Sequence, residues 1–322
     1  MIRYCVILSL SLLLEAASYN NCDFKNPRYE AVCQEAVKKG ATYQYANEFL
    51  LSWRVGKRDQ KSFDLFQPKE LSAHHANEKR ANNDMVKYIP KIVEHIKKYE
   101  KVYNLAESRY NVDREVIAAI LMKETRLGTY VPKHEAFTVF NTLLLQVKED
   151  TSRNRWLLGM AQENMARIIV YCGAKHIQPE QCRFSSSYAG AVGIPQFMPQ
   201  NFGYIQGYQS EVGNLDVMED AILSVAAFLH TEAKYDTLIE WNNIPNMQRL
   251  ESQWYDYDFT HKNASFVYEK GKNGTYQCFT CNEPKLQKVR RYVQRIMRYN
   301  NSSNYAVGVL RLAYDAHKIL AP

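Results

Sequence analysis

Apolar positions recur at helical spacing through most of the chain. From Met85 onward, Ile89, Ile92, Val93, Ile96 and Tyr103 fall on one face, which predicts an amphipathic helix with Pro90 in its first turn. The segment Asp113 to Gly128 repeats the pattern at Ile117, Ile120 and Leu121, with Asp113 as the expected N-cap and Gly128 as the stop. These two helices are expected to pack together. Phe137 to Val147, Trp156 to Val170 and Asp220 to His230 read as further helices, the last capped by Asp220 and apolar at Ile222, Val225, Ala226 and Leu229. Lys285 to Arg298 and Asn304 to Leu320 close the series. Upstream, Tyr19 to Asn83 is largely helical in pattern and polar. Its amphipathic stretch, Tyr43 to Trp53, gives way to a basic, loop-like segment from Arg54 to Lys61.

One region departs from this period. Ser265 to Glu269 and Thr275 to Phe279 flank a Gly271 to Gly274 turn that ends in Asn273-Gly274, which predicts a β-hairpin. The expected architecture is therefore mainly α, with a small β appendage over residues 250–284. The expected divisions are a leader over 1–18, an N-terminal helical region over 19–84 and a helical domain over 85–322. No internal repeat or low-complexity tract interrupts them.

Composition adds bounds. The 322 residues are 46% hydrophobic, ample for a buried core, and the formal charge of +7 is interspersed rather than clustered. No nucleic-acid motif accompanies it, so the charge suggests an anionic partner other than nucleic acid. The first residues place Arg3 before an apolar run from Tyr4 to Leu14 and then Ala16, Ala17 and Ser18, the pattern of a secretory signal too short to span a bilayer. Cys22 follows Tyr19, Asn20 and Asn21 rather than the small and apolar residues of a lipid-attachment site. A periplasmic or secreted protein without a lipid anchor, and with no membrane span after signal removal, is expected.

Loss of Cys5 with the signal leaves six cysteines, Cys22, Cys33, Cys172, Cys182, Cys278 and Cys281. Their clustering favours three local disulfides, Cys22 to Cys33, Cys172 to Cys182 and Cys278 to Cys281. A zinc site would need four ligands, and one C-x-x-C with only His261 nearby is a poor candidate.

Two stretches carry the chemistry. Glu124 continues the apolar face of its helix, and its neighbours three and four positions away are Ile120, Leu121, Leu127 and Gly128. If that face is buried, desolvation raises the carboxyl's pKa towards that of a general acid, whereas a helix-end glutamate reaching water would do nothing of the kind. Ser187 to Pro199 (SYAGAVGIPQFMP) combines glycines, small alanines and prolines with Gln196 and Phe197, a composition suited to close backbone approach, an amide to read hydroxyls and a ring to stack on a sugar. A plain Gly-Pro connection between helices is the alternative.

Together these stretches resemble the lytic murein transglycosylases of the membrane-bound B type. That family carries E-T-R-x-G, then S-Y-A-G-A-x-G-x-x-Q-F-M-P, then R-Y-N-x-S followed by Y-A. Here these are Glu124 to Gly128, Ser187 to Pro199, and Arg298 to Ser302 with Tyr305-Ala306. The likeness covers roughly Tyr110 to Leu320 and weakens in the first third.

The resemblance implies a lysozyme-like helical catalytic domain acting as a monomer on peptidoglycan glycan strands. It implies that Glu124 cleaves the MurNAc-GlcNAc β-1,4 bond to leave 1,6-anhydro-MurNAc, with Ser187, Gln196, Phe197, Tyr299, Asn300 and Tyr305 lining the cleft. No cofactor is implied. Relatives often carry a calcium loop after F-M-P. Gly207 to Asp220 offers Glu211, Asp216, Glu219 and Asp220 without the D-x-D-x-D-G spacing, so no metal is expected. Relatives also place a tyrosine where this chain has Phe228. The rival readings are a hydrolytic muramidase that uses a second acid such as Asp220, and a non-catalytic wall-binding protein.

Overall fold

The computed structural model describes residues 19–66, 78–130, 132–244, 246–247, 250, 268–270, 276–278 and 284–321. The expected leader over 1–18, the turn Gly271 to Gly274 and Cys281 lie outside them.

Helix α7 (Arg114–Thr125) is the axis of the fold. Val116 to Met122 are all buried, so the helix is apolar on every side and must be wrapped by others. Helices α5 (Ile89–Lys98), α6 (Glu100–Tyr110), α10 (Met218–Thr231) and α12 (Ser303–Leu320) wrap it. In α12, Tyr305 to Tyr314 are buried in turn. Helix α11 (Pro284–Ile296) covers α12. The pattern from Ile89 to Tyr103 is two helices rather than one, parted at Tyr99, whose φ of −107° and ψ of 27° leave the helical region. Pro90 opens α5 as expected, because its missing N–H has no partner to lose there.

The second layer is built from α1 (Pro27–Lys38), α2 (Tyr43–Leu51), α8 (Ala136–Gln146) and the long α9 (Ser152–Ala174). Short α3 (Gln60–Leu65) lies against α8, and helical residues 78–85 (α4) lead into α5. The Arg54 to Lys61 segment is irregular at 57–59 and mostly exposed, as expected, but Arg54 itself is not exposed. Trp53–Gly56 forms a 3-10 turn that buries Arg54, whose guanidinium donates to Pro179 O and Cys182 O and pairs with Glu135 at 2.8 Å. A buried guanidinium needs such complete pairing, and this one fastens the N-terminal layer to the centre. One hydrophobic core runs through both layers, across residue 84.

Disulfides Cys22–Cys33 and Cys172–Cys182 are formed, as the clustering predicted. Each closes a loop of about ten residues and contributes roughly 2–4 kcal/mol. Cys281, the expected partner of Cys278, lies outside the described residues.

Two small antiparallel sheets complete the fold. β1 (His134–Glu135) pairs with β2 (Ser185–Ser186), His134 opposite Ser186, and so delivers the chain to the glycine-rich stretch. β3 (Tyr268–Lys270) pairs with β4 (Tyr276–Cys278), which is the hairpin that the Asn273-Gly274 signal predicted. No described helix is long and apolar enough to cross a membrane.

Candidate active site

Glu124 is the penultimate residue of α7, where the helix stops abruptly. Arg126, Leu127 and Gly128 are all left-handed, with φ of 51°, 56° and 77°. The N–H of Leu127 donates back to Leu121 O at 3.0 Å, which satisfies a carbonyl the ending helix would orphan. Thr125 then ties this end to the second stretch: its hydroxyl donates to Ile194 O at 2.8 Å and accepts the N–H of Gly128 at 3.1 Å. The E-T-R-x-G motif is thus a helix terminus whose threonine clamps the opposite wall.

That wall, Ser187 to Pro199, is a pair of tight turns. Ser187 exchanges backbone hydrogen bonds with the turn, and its hydroxyl accepts the N–H of Ala191 at 3.2 Å. Val192 and Phe197 bond each other's backbones at 2.8 and 3.0 Å. Between them Gly193 has φ of 69°, and a Cβ there would meet Leu215 O at 2.8 Å, so only glycine fits. Gln196, also left-handed at 53°, stays half-buried and donates its amide to Gly193 O at 2.8 Å.

Phe197 does not offer its ring to a sugar. It is 2% exposed and packs at 5.7 Å from Phe228 and 6.0 Å from Tyr299, so it supports the wall from behind. The hydrophobic driving force on a ring flanked by Val192 and Phe228 outweighs its place in a loop. Phe228, where relatives carry tyrosine, belongs to the same cluster, 5.3 Å from Tyr299.

The third segment supplies the partners of Glu124. Ser302 caps α12 by accepting the N–H of Tyr305 at 3.1 Å, which sets the first turn of that helix against α7. The Tyr305 hydroxyl donates to Glu124 Oε1 at 2.5 Å. Burial pushes the Tyr305 phenol well above its usual range, so it remains a donor. Tyr299 donates to Pro195 O and thereby holds the prolines of the second wall. Asn300 is exposed beside it. Of the six expected cleft residues, Tyr305 touches Glu124. Ser187, Gln196, Phe197 and Tyr299 shape the wall, and Asn300 stands at the surface.

Burial pushes the Glu124 carboxyl from its ordinary 4.5 to about 7, against the pull of the Tyr305 hydrogen bond and the Lys123 charge. Taken as a whole, the residue is half-buried. Glu78, whose charge also raises this pKa, was not anticipated. It precedes the recognised motifs, and its link to the site is a 2.5 Å bond from the Ser302 hydroxyl.

Asp113, at the other end of α7, is likewise pushed up by burial, to about 7. It occupies the cap position but caps nothing. Its carboxylate accepts from the Tyr235 hydroxyl at 2.7 Å, the Ile239 N–H and the Trp241 indole, and these long-range donors displace the local cap bond. Asp220 also lies inside its helix rather than at its cap. It is buried, and its oxygens are taken by the N–H groups of Tyr208 (2.7 Å) and Asn214 (2.8 Å). That excludes it as the second acid of a hydrolase, since it holds a loop instead of facing the cleft.

A hollow of about 550 Å³ opens beside the site, lined by Met198, Gln200, Asn201, Phe228, Glu232 and Tyr299 among others. It meets the site at Tyr299. Glu124 itself is not in its lining.

Of the two carboxyls held near neutrality at the ends of α7, Glu124 is the one not enclosed by several donors, and a carboxyl so held in a helical domain is what a glycan-cleaving general acid needs. The sequence profile described as "Transglycosylase SLT domain" matches residues 24–314, and the chain belongs to that family: it is an enzyme, a peptidoglycan lytic transglycosylase. The match also extends the likeness to the first third, where the motifs alone placed its start near Tyr110.

No curated protein matches at the level of sequence. Among solved structures the fold is similar to the lytic transglycosylase Slt35 of Escherichia coli. Its complex with bulgecin A is 21% identical over 94% of this chain and 97% of that one, with a TM-score of 0.61. Its complex with calcium is 20% identical over the same shares, also at 0.61. SltB3 of Pseudomonas aeruginosa, in complex with NAG-anhNAM-pentapeptide, is 15% identical over 88% and 77%, with a TM-score of 0.57.

Calcium does not fit the 207–220 loop of this chain. Both Asp220 oxygens already accept backbone N–H groups, and no three His, Cys, Asp or Glu side chains gather among the described residues.

Proposed function

We propose that the enzyme cleaves the MurNAc-GlcNAc β-1,4 bond of peptidoglycan and releases 1,6-anhydro-MurNAc, with Glu124 as acid and then base. The observation that carries this reading is the Glu124 carboxyl, pushed to about 7 by burial and held by Tyr305 at 2.5 Å. Protonated, Glu124 gives its proton to the glycosidic oxygen, and the bond electrons leave with that oxygen. The Tyr305 hydroxyl stabilises the carboxylate so formed. That carboxylate next takes the proton of the muramyl 6-hydroxyl as its oxygen closes on the anomeric carbon, and Glu124 is again protonated with no water consumed. The substrate's own acetamide stabilises the intervening cation. Gln196, Tyr299 and Asn300 position the sugars, while Ser187 and Phe197 keep the wall in shape. The strand bears stem peptides whose carboxylates suit a chain of formal charge +7. The chain works in the periplasm as a monomer, exported by the leader over 1–18.

Hydrolysis to reducing ends is the second reading, and Glu78 favours it, because its charge reaches Glu124 as that of a second carboxylate would. Mass spectrometry of products from purified sacculi separates the two. Anhydro ends support the proposal, and reducing ends overturn it in favour of hydrolysis.

A further inference from the structure

The end of α7 has a second face. Met122 stands two residues before Glu124, about 200° around the helix from it, and Arg126 follows Thr125 as the left-handed cap. With α5 they line a separate hollow of about 410 Å³, whose walls include Tyr88, Lys91, His95 and Lys98.

Three cations, Lys91, Lys98 and Arg126, meet there against one carboxylate, Glu94. All three are exposed, and none is ion-paired among the described residues. Lys91 and Arg126 lie 5.5 and 5.8 Å from the Tyr88 ring centroid, which orients them without neutralising them. Arg126 leaves the helix on a left-handed backbone, which a non-glycine residue rarely adopts.

His95 gives an independent sign of a ligand. It is 8% exposed, its Nδ1 lies 3.0 Å from the Tyr103 hydroxyl, and its Nε2 has no partner. Burial pushes its pKa down to about 4, so the ring is neutral. The 3.0 Å contact occupies Nδ1, which leaves Nε2 as a buried polar atom without a partner among the described residues. Buried polar atoms without partners are rare, and this one belongs to the lining of the same cation-rich hollow.

We propose that this hollow binds the carboxylate of a peptidoglycan stem peptide, with Lys91, Lys98 and Arg126 as counter-charges and Met122 and the Tyr88 ring as its apolar floor. This rests on the peptidoglycan reading above. The hollow is far larger than a lone inorganic anion, and its apolar floor suits alkyl side chains. It lies about one helix width, roughly 10 Å, from Glu124. An extended peptide of four or five residues spans roughly 15 Å, enough to reach it from a sugar in the cleft.

The test compares steady-state cleavage of peptide-bearing glycan strands with that of strands stripped by an amidase, for the wild type and for K91A/K98A. The wild type is expected to show a KM roughly 3- to 10-fold lower on peptide-bearing strands, the scale of two exposed ion pairs. The double variant is expected to lose that difference while its kcat and its KM on stripped strands hold. An unchanged preference in the double variant, or none in the wild type, overturns the proposal. Should the wild type cleave neither strand, the lytic reading fails and the hollow is judged separately, by titrating soluble stem pentapeptide and following the His95 ring by NMR. A ring shift in the wild type that weakens in K91A/K98A then supports the site, and no shift at millimolar peptide overturns it.

Discussion

Replacement of Glu124 by Gln keeps the shape of the side chain and removes its transferable proton. A general acid or base contributes about 100- to 10,000-fold, and one residue serving both steps should lose at least that, so cleavage of sacculi is expected to fall by three orders of magnitude or more. Stability moves the other way, and the pH dependence gives the sign. The folded pKa, about 7, lies above the ordinary 4.5, so between those values the native state keeps a proton that the unfolded chain has released. Wild-type stability therefore declines as pH rises from 4.5 to 7 and levels off above.

At 1.36 kcal/mol per unit the decline is roughly 3 kcal/mol, and the half-burial of the residue reduces this to about 2. Glutamine has no such slope. The melting temperature of E124Q relative to wild type should rise by a few degrees between pH 4.5 and 8. Calorimetry at four pH values, with turbidity clearing of sacculi, measures both. A folded E124Q that cleaved near the wild-type rate would end the acid assignment. A melting difference flat with pH would show that Glu124 is not held near neutrality.

Tyr305→Phe removes the donor that Glu124 has among the described residues, so the Glu124 pKa should rise further and the alkaline limb of the pH–activity profile should move up by about one unit, with a fall in kcat of roughly 3- to 10-fold. An unmoved limb would deny that bond a role. Gly193→Ala brings a methyl to 2.8 Å from Leu215 O at a φ of 69°, so stability should drop by about 2 kcal/mol or more in denaturant titrations and activity with it. Chelator treatment should leave cleavage and melting temperature unchanged, because Asp220 bonds backbone instead of an ion; a loss restored by calcium would refute this.

Periodicity revealed what short-range physics controls. The helices from Ile89 onward, the Asn-Gly hairpin and the two described disulfides depend on residues near each other in sequence, and the motifs located Glu124. What was not legible depends on distant partners. Tyr305 reaches Glu124 across 181 positions, and Arg54 reaches Cys182 across 128. No spacing rule announces such a pair. Asp113 and Asp220 were assigned caps from local preference, but tertiary donors worth more than a cap bond claimed both. The composition of Ser187 to Pro199 suggests a sugar-stacking ring at Phe197, but an aromatic cluster buries it.

Helix α7 shows why a perturbed pKa alone does not identify an acid. Asp113 and Glu124, at its two ends, are both pushed to about 7 by burial. Asp113 is enclosed by a hydroxyl, a backbone N–H and an indole, all donors, so its ionisation strengthens three existing bonds and presents no proton to anything outside. Among the described residues Glu124 accepts one hydrogen bond, from Tyr305, and the residue is half-buried, so its carboxyl keeps capacity for a ligand. The difference lies in how many donors close each carboxyl off. The enclosed one secures the start of the helix through Tyr235, Ile239 and Trp241. A helix fixed at its start and clamped at its end by Thr125 can hold the Glu124 carboxyl to the small tolerance that proton transfer demands.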